Sequence, residues 1–182
     1  LEPYRLSDMG AGSATYLHLL AEVLKAVFAD RAAHYGDPDF IEFPLERLLS
    51  ADHASEIRSR LSALRPVPSA DYRGTATGQD AGTSHISVID GQGNAVALTS
   101  SINTSFGSMV AVPRRGIVLN NTMDDFSARP GLPNVYGLVG SEANSIAAGK
   151  RPLSSMSPTI VLEDGAVRLV LGASGGPLII SA

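Results

Sequence analysis

Gly82-Thr83-Ser84-His85-Ile86-Ser87-Val88-Ile89-Asp90 and Ala95-Val96-Ala97-Leu98-Thr99-Ser100-Ser101-Ile102 are two strand-like runs, separated by Gly91-Gln92-Gly93-Asn94. β-branched residues bounded by glycine and asparagine read as a hairpin. A three-residue loop from Gly91 to Gly93 sets Asp90 opposite Asn94 and, counting back, Thr83 opposite Ser101. Opposed residues hold their Cβ atoms ~5 Å apart on one face, so the two hydroxyls would meet. A four-residue loop would set Thr83 opposite Ile102 instead, and a slip of one residue changes the face.

Downstream of this hairpin almost everything reads as strand and tight turn. Residues 116–121 form a further strand, followed by the acidic pair Asp124-Asp125. Residues 127–150 are rich in Gly, Pro, Asn and Ser, with Tyr136 near the middle, and read as a long surface loop. Thr159-Ile160-Val161-Leu162, a turn at Glu163-Asp164-Gly165 and Val167-Arg168-Leu169-Val170-Leu171 form a second hairpin. It runs into Gly172-Ala173-Ser174-Gly175-Gly176 and a helix. Glycine-rich turns at such junctions present backbone N–H groups to negative charge.

Upstream the pattern is helical. Ser13 is a candidate N-cap, and Tyr16, Leu19, Leu20, Val23, Leu24, Val27 and Phe28 recur at three and four to form one apolar stripe. Glu22, Lys25 and Asp30-Arg31 lie mostly off that stripe, and Gly36-Asp37-Pro38 ends the helix. Leu45, Leu48 and Leu49, then Ile57, Leu61 and Leu64, predict one or two shorter helices, with Ser50 or Asp52 as a cap. Residues 65–82 turn to Pro, Gly, Ser, Thr and Asp. This is either an interdomain linker or a segment that must move so that a bond at its end can be cut.

The chain has 182 residues, 44% of them hydrophobic and 18% charged, with a net charge of −4. That is enough for one domain with a core. It lacks the basic character of a nucleic-acid binder, and no apolar run approaches the ~20 residues of a membrane span. The absence of cysteine removes disulfides, thiolate catalysis and cysteine-ligated metals. His18, His34, His53 and His85 lack metal-ligand spacing. The first and last residues are those expected of a piece cut from a longer protein.

A threonine hydroxyl is a poor nucleophile without a base. A threonine at a new N-terminus carries one, its α-amine, with a pKa of ~7.7–8.0 near working pH. Such a site needs neither histidine nor cysteine, but it needs a cut just before the threonine. Gly82 fits that requirement, because its backbone tolerates the strained geometry in which Thr83 attacks the preceding carbonyl.

Several ordered blocks carry a resemblance. They are Phe28-Ala29-Asp30-Arg31 with Gly36-Asp37-Pro38-Asp39-Phe40, Gly82-Thr83-Ser84-His85, Ile102-Asn103-Thr104-Ser105-Phe106-Gly107 and Leu119-Asn120-Asn121-Thr122-Met123-Asp124-Asp125-Phe126-Ser127. Then come Pro133-Asn134-Val135-Tyr136-Gly137-Leu138, Arg151-Pro152-Leu153-Ser154-Ser155-Met156-Ser157-Pro158-Thr159 and Gly172-Ala173-Ser174-Gly175-Gly176. From about residue 28 to 180 the chain resembles the gamma-glutamyltranspeptidases, of the N-terminal nucleophile hydrolase superfamily.

The resemblance implies an α+β fold, the four-layer αββα sandwich of that superfamily, present in part. It implies that 1–82 is the C-terminal part of a large subunit, helical and then a linker over 65–82. Residues 83–182 would be the N-terminal part of the small, catalytic subunit. Gly82 and Thr83 would be the autoproteolytic cleavage site and Thr83 the nucleophile, with Ser101 bonding it. Gly175 and Gly176 would form the oxyanion hole. Asn103, Thr122 and Asp125 would hold the substrate's α-amino end, Ser154 and Ser155 its α-carboxylate, and Tyr136 would belong to a lid.

The implied reaction is γ-glutamyl transfer and hydrolysis on glutathione and related compounds, with an amino acid or peptide as acceptor and no metal or organic cofactor. The implied partners are the remainder of both subunits, and the implied location is periplasmic or secreted. No nucleic acid is expected.

Each position also has an ordinary reading. Asp124-Asp125 would be a solvated pair, Ser154-Ser155 a turn cap, Gly175-Gly176 a tight bend and Asn103 a strand-end residue. His85 would be structural. Thr122 stands where the family usually has Gln or Glu, Ser101 where it usually has Thr, and Pro177 where a small polar residue is commoner. The family's α-carboxylate arginine comes from a part of the large subunit outside this chain, and no arginine here is assigned to replace it. Two other readings follow: an acylase of the same fold acting on glutaryl or cephalosporin-type amides, and a non-catalytic homologue or inactive fragment.

Overall fold

The computed structural model describes residues 1–62, 65–68 and 82–181. A short helix α1 (Leu6–Met9) leads into α2 (Ala14–His34), and α3 (Leu45–Leu48) precedes α4 (Ala51–Arg60). Ser13 caps α2 by accepting from Tyr16 N–H, and Ser50 caps α4 by accepting from His53 N–H. Ser13 is the expected cap, and of the two candidates Ser50 and Asp52 it is Ser50 that caps α4. Leu64 and most of the 65–82 linker lie outside the described residues.

The α2 stripe is only partly a core. Leu19 and Ala26 are buried, but Val27 is exposed and Glu22 is buried in their company. Glu22 satisfies its carboxylate with Lys25 Nζ at 2.5 Å and Val67 N–H at 3.0 Å. Burial pushes the Glu22 carboxyl up, and the bonds to Lys25 and Val67 outweigh it, so its pKa ends below the ordinary value. A buried carboxylate on the expected polar face is a correction; its partners are Lys25, one turn along the helix, and Val67, more than forty residues away.

The strands pair as three antiparallel ribbons among the described residues: β1 (Thr83–Ile89) with β2 (Ala95–Ser101), β3 (Ala111–Val112) with β4 (Ile117–Val118), and β5 (Thr159–Glu163) with β6 (Ala166–Leu171). The β1–β2 register is the one a three-residue loop dictates, with Thr83 opposite Ser101 and Ile89 opposite Ala95. The Asp90 carboxylate closes the turn by accepting from Gln92 N, Asn94 N and Asn94 Nδ2.

β5–β6 turns through Asp164 and Gly165, both at positive φ as a tight two-residue hairpin requires, and carries an irregularity between Val161 and Leu162. The strand expected over 116–121 contracts to β4. The helix expected after Gly176 is a 3₁₀ helix, Gly176–Ser181.

The β1–β2 and β5–β6 ribbons pack against each other. His85 lies between them, with Nδ1 2.7 Å from Thr99 Oγ1, Nε2 3.0 Å from Ser87 Oγ and its ring against Gly172. A Cβ at position 172 would collide with that ring. His85 is thus a packing residue.

Residues 127–150 form the expected irregular loop, but it sends three side chains inward. Ser127, Tyr136 and Asn144 are buried, and Phe126, just before them, is 2% exposed. The segment is closed by bonds from Ser127 N–H to Asn144 C=O and from Asn134 N–H to Leu138 C=O, and it contains a 3₁₀ turn, Glu142–Asn144. Across the fold, Arg151 donates from N, Nε and Nη2 to the buried Asp37 carboxylate at 2.5–2.9 Å. Bonded above all to Arg151, the Asp37 carboxyl sits well below the usual carboxylate range.

Candidate active site

Thr83 opens β1 and Ser101 closes β2, so the hairpin register alone brings their hydroxyls together. Thr83 Oγ1 lies 2.9 Å from Ser101 Oγ. The Asn103 N–H donates to the same Ser101 oxygen at 2.9 Å. With one lone pair so occupied, the Ser101 proton is available to Thr83. Asn103 reaches this position at φ 78°, a left-handed conformation that asparagine tolerates better than most residues.

The bond before Thr83 is held as well. The Ile102 N–H donates to the Gly82 C=O at 2.9 Å. A Cβ on residue 82 would run into the Asn103 and Thr104 carbonyls, so glycine is required for this close approach.

Both hydroxyls open into a cavity of about 210 Å³. Asn103, Thr122, Asp125, Tyr136, Ser154, Ser155 and Gly176 line it too, and Gly175 precedes its wall by one residue. Segments far apart in sequence thus converge on one space, as a functional pocket demands.

Their hydrogen bonds separate their chemistry. Buried Asn103 accepts from Tyr136 Oη through Oδ1 at 2.5 Å and donates from Nδ2 to Asn121 C=O at 3.2 Å. Thr122 donates its hydroxyl to Asn120 Oδ1 at 2.8 Å, away from an incoming group. Ser154 Oγ accepts from Met156 N–H at 3.1 Å, the turn-capping contact of its ordinary reading.

Among the cavity residues given no site role from sequence, two tie its walls together. Asn144 donates from Nδ2 to Asp125 C=O at 2.7 Å and accepts at Oδ1 from Leu153 N–H at 3.1 Å. One buried amide thus fixes the spacing between the acidic turn and the serine pair. Nothing local in the sequence marks it.

Arg31 is the other. Phe28, Arg31, Ala32 and Tyr35 follow the i, i+3, i+4, i+7 spacing of one helical face, and all four line the cavity. Arg31 Nη2 donates to Ser155 Oγ at 2.6 Å. Burial lowers the Arg31 pKa, while the Asp125 carboxylate and Tyr35 act in the opposite direction. The helical spacing was the available signal.

The whole chain, residues 1–182, matches the family model described as gamma-glutamyltranspeptidase. The chain belongs to the gamma-glutamyltranspeptidase family. It is 46% identical over 183 residues to the glutathione hydrolase proenzyme of Escherichia coli (strain K12), covering 100% of this chain and 32% of that protein. It is 38% identical over 175 residues to the acylase ACY 1 proenzyme of Pseudomonas sp. (strain SE83), covering 96% of this chain and 29% of that protein.

A crystal structure of a threonine-to-alanine mutant of Helicobacter pylori gamma-glutamyltranspeptidase superimposes with a TM-score of 0.51 at 59% identity, over 53% of this chain and 52% of that one. The chain therefore spans about a third of the length of the curated relatives it matches. Its mixed helix and sheet is part of the N-terminal nucleophile hydrolase fold of these neighbours.

Proposed function

We propose that this family member carries the nucleophile of an enzyme that transfers or hydrolyses γ-glutamyl groups, released by self-cleavage between Gly82 and Thr83. The observation that carries the reading is the 2.9 Å contact of Thr83 Oγ1 with Ser101 Oγ at the cavity floor, beside a scissile carbonyl already bonded to Ile102 N–H.

In the cleavage, Thr83 Oγ1 attacks the Gly82 carbonyl carbon, and negative charge builds on the oxygen that Ile102 N–H holds. The C–N bond breaks, the nitrogen takes the hydroxyl proton and an ester links Gly82 to Thr83. Water hydrolyses the ester, leaving a Gly82 carboxylate and a free Thr83 amine. In turnover that amine takes the Oγ1 proton, and Oγ1 attacks the donor's γ-carbonyl. The amide nitrogen leaves protonated, and water or an acceptor amine resolves the glutamyl ester.

In this reading the Gly175 and Gly176 N–H groups form the oxyanion hole. Asp125 takes the donor's ammonium, and Ser154 and Ser155 its carboxylate. Asn103 is a positioning residue that aligns Ser101 and Tyr136 rather than a direct ligand of the amine. Residues 1–82 would belong to the large subunit and 83–182 to the small one, within a four-layer αββα sandwich completed by the rest of both subunits.

An acylase reading rests on Thr122, whose hydroxyl is spent on Asn120. γ-Glutamyl and glutaryl anilides distinguish the two, since only the first has an ammonium for Asp125.

Intact mass of the full-length parent protein tests the core claim. Two fragments are expected, the smaller beginning at Thr83, with Thr83→Ala remaining whole. A single uncut chain in both proteins would sink the nucleophile assignment.

A further inference from the structure

We propose that Arg31 is a positioning residue of the donor pocket, holding the Ser155 hydroxyl so that it donates to a carboxylate on the acyl donor. The inference rests on the reading of Ser155 and Asp125 as the two ends of the donor site. Sequence reading assigns no arginine of this chain to that pocket, and the structure puts one in its wall.

Hydrogen-bond capacity gives the first half. A guanidinium only donates, so in the 2.6 Å contact Ser155 Oγ accepts. The serine proton is thereby turned away from Arg31 toward whatever acceptor enters the cavity. A bond from an ionised donor also polarises the hydroxyl and strengthens its own donation.

Charge gives the second half. Arg31 feels the Asp125 carboxylate across the same space. The cavity wall thus carries a cation, Arg31, bonded to Ser155, and a carboxylate, Asp125. That arrangement suits a zwitterionic α-amino acid head better than an amine or an acid alone.

A purely structural role is the competing account, and the fold weakens it. The 151–155 segment is already anchored at its start by the Arg151–Asp37 bonds and at Leu153 by Asn144. Ser155 does not depend on Arg31 to stay in the wall.

The test uses the processed full-length enzyme with three anilides: γ-glutamyl, 4-aminobutyryl (no α-carboxylate) and glutaryl (no α-amine). Affinities are read as KM or as competitive inhibition constants. Arg31→Gln is expected to raise KM for the γ-glutamyl anilide by about 10–100-fold, the range for a hydrogen bond to a charged group. kcat should stay within a few-fold, and the 4-aminobutyryl value should hardly move. Arg31→Lys should recover part of the loss, and Arg31→Gln with Ser155→Ala should be little worse than the poorer single variant.

Equal losses on γ-glutamyl and 4-aminobutyryl anilides would overturn the proposal. So would an effect confined to kcat, or to processing and melting temperature, or additive single losses. If Arg31→Gln fails to fold, the Arg31→Lys and Ser155→Ala cycle decides on the same criteria. A wild-type enzyme inactive on the γ-glutamyl anilide sinks the functional reading with it. An active one with undifferentiated variants sinks this inference alone.

Discussion

The two faces of the β1–β2 hairpin are built in opposite senses. One face carries Thr83, His85, Ala95, Ala97, Thr99 and Ser101, small or polar side chains that are all half-buried, together with exposed Ser87 and Ile89 toward the turn. The other carries Ile86, Val88, Val96 and Leu98, each more than half exposed. In an ordinary half-buried hairpin the apolar row is the one turned inward. Here the inward row is polar because it holds the candidate chemistry and its supports. The outward apolar row stays uncovered among the described residues. The difference teaches that burial in this hairpin follows the site rather than hydrophobicity.

That contrast yields predictions for the full-length protein. The deepest side chain on the site's side is Phe126, and Phe126→Ala should cost about 3–5 kcal/mol of stability, read as a shifted denaturation midpoint. Leu98→Ala tests the opposite face. If the rest of the protein covers it, the loss is about 2–5 kcal/mol. A change within about 0.5 kcal/mol, normal for a surface site, would show that the face stays open and would extend the comparison to the whole protein.

Ser101→Ala removes the oxygen that both meets Thr83 Oγ1 and accepts from Asn103 N–H. It should lower kcat by about 10–100-fold, roughly 1.5–3 kcal/mol on the barrier, with about 1–3 kcal/mol of stability lost from the orphaned Asn103 N–H. Unchanged kcat would mean that Thr83 needs no neighbouring hydroxyl.

The smallest effect concerns acid. Asp37 is held below its ordinary pKa by Arg151, so it contributes stability above the unfolded-state value. That contribution starts to fade below about pH 4 and is lost as pH falls through the folded value. Asp37→Asn should lower stability at neutral pH and flatten its acid dependence. An unaltered acid limb would show that the Asp37 carboxyl is not depressed in the folded protein.

Legibility in the sequence followed the range of the interactions. The Thr83–Ser101 register could be counted because Asp90, Asn94 and the glycines between them settle it locally. The cap at Ser13 was equally readable, and that at Ser50 was one of two candidates. The loop over 127–150 is legible, but its inward side chains are not, because Gly, Pro, Asn and Ser ordinarily mark solvent. In this segment Asn134 Oδ1 accepts from both Tyr136 N–H and Leu138 N–H, and Asn144 binds two distant backbones. Composition cannot reveal that polar groups find each other inside. Glu22 and Arg31 fall on a polar helix face in the sequence for the same reason, since their hydrogen-bond partners Val67 and Ser155 lie far along the chain.

The bonds from Arg31 to Ser155, from Arg151 to Asp37 and from Ser141 Oγ to Ala33 C=O all join residues before Gly82 to residues after Thr83. Severing the single covalent link between those residues would leave every one of these tethers in place. The nicked molecule should therefore migrate as one particle in gel filtration and as two only under denaturant. Covalent continuity would become a record of the molecule's age, carried by a body whose outline it no longer determines.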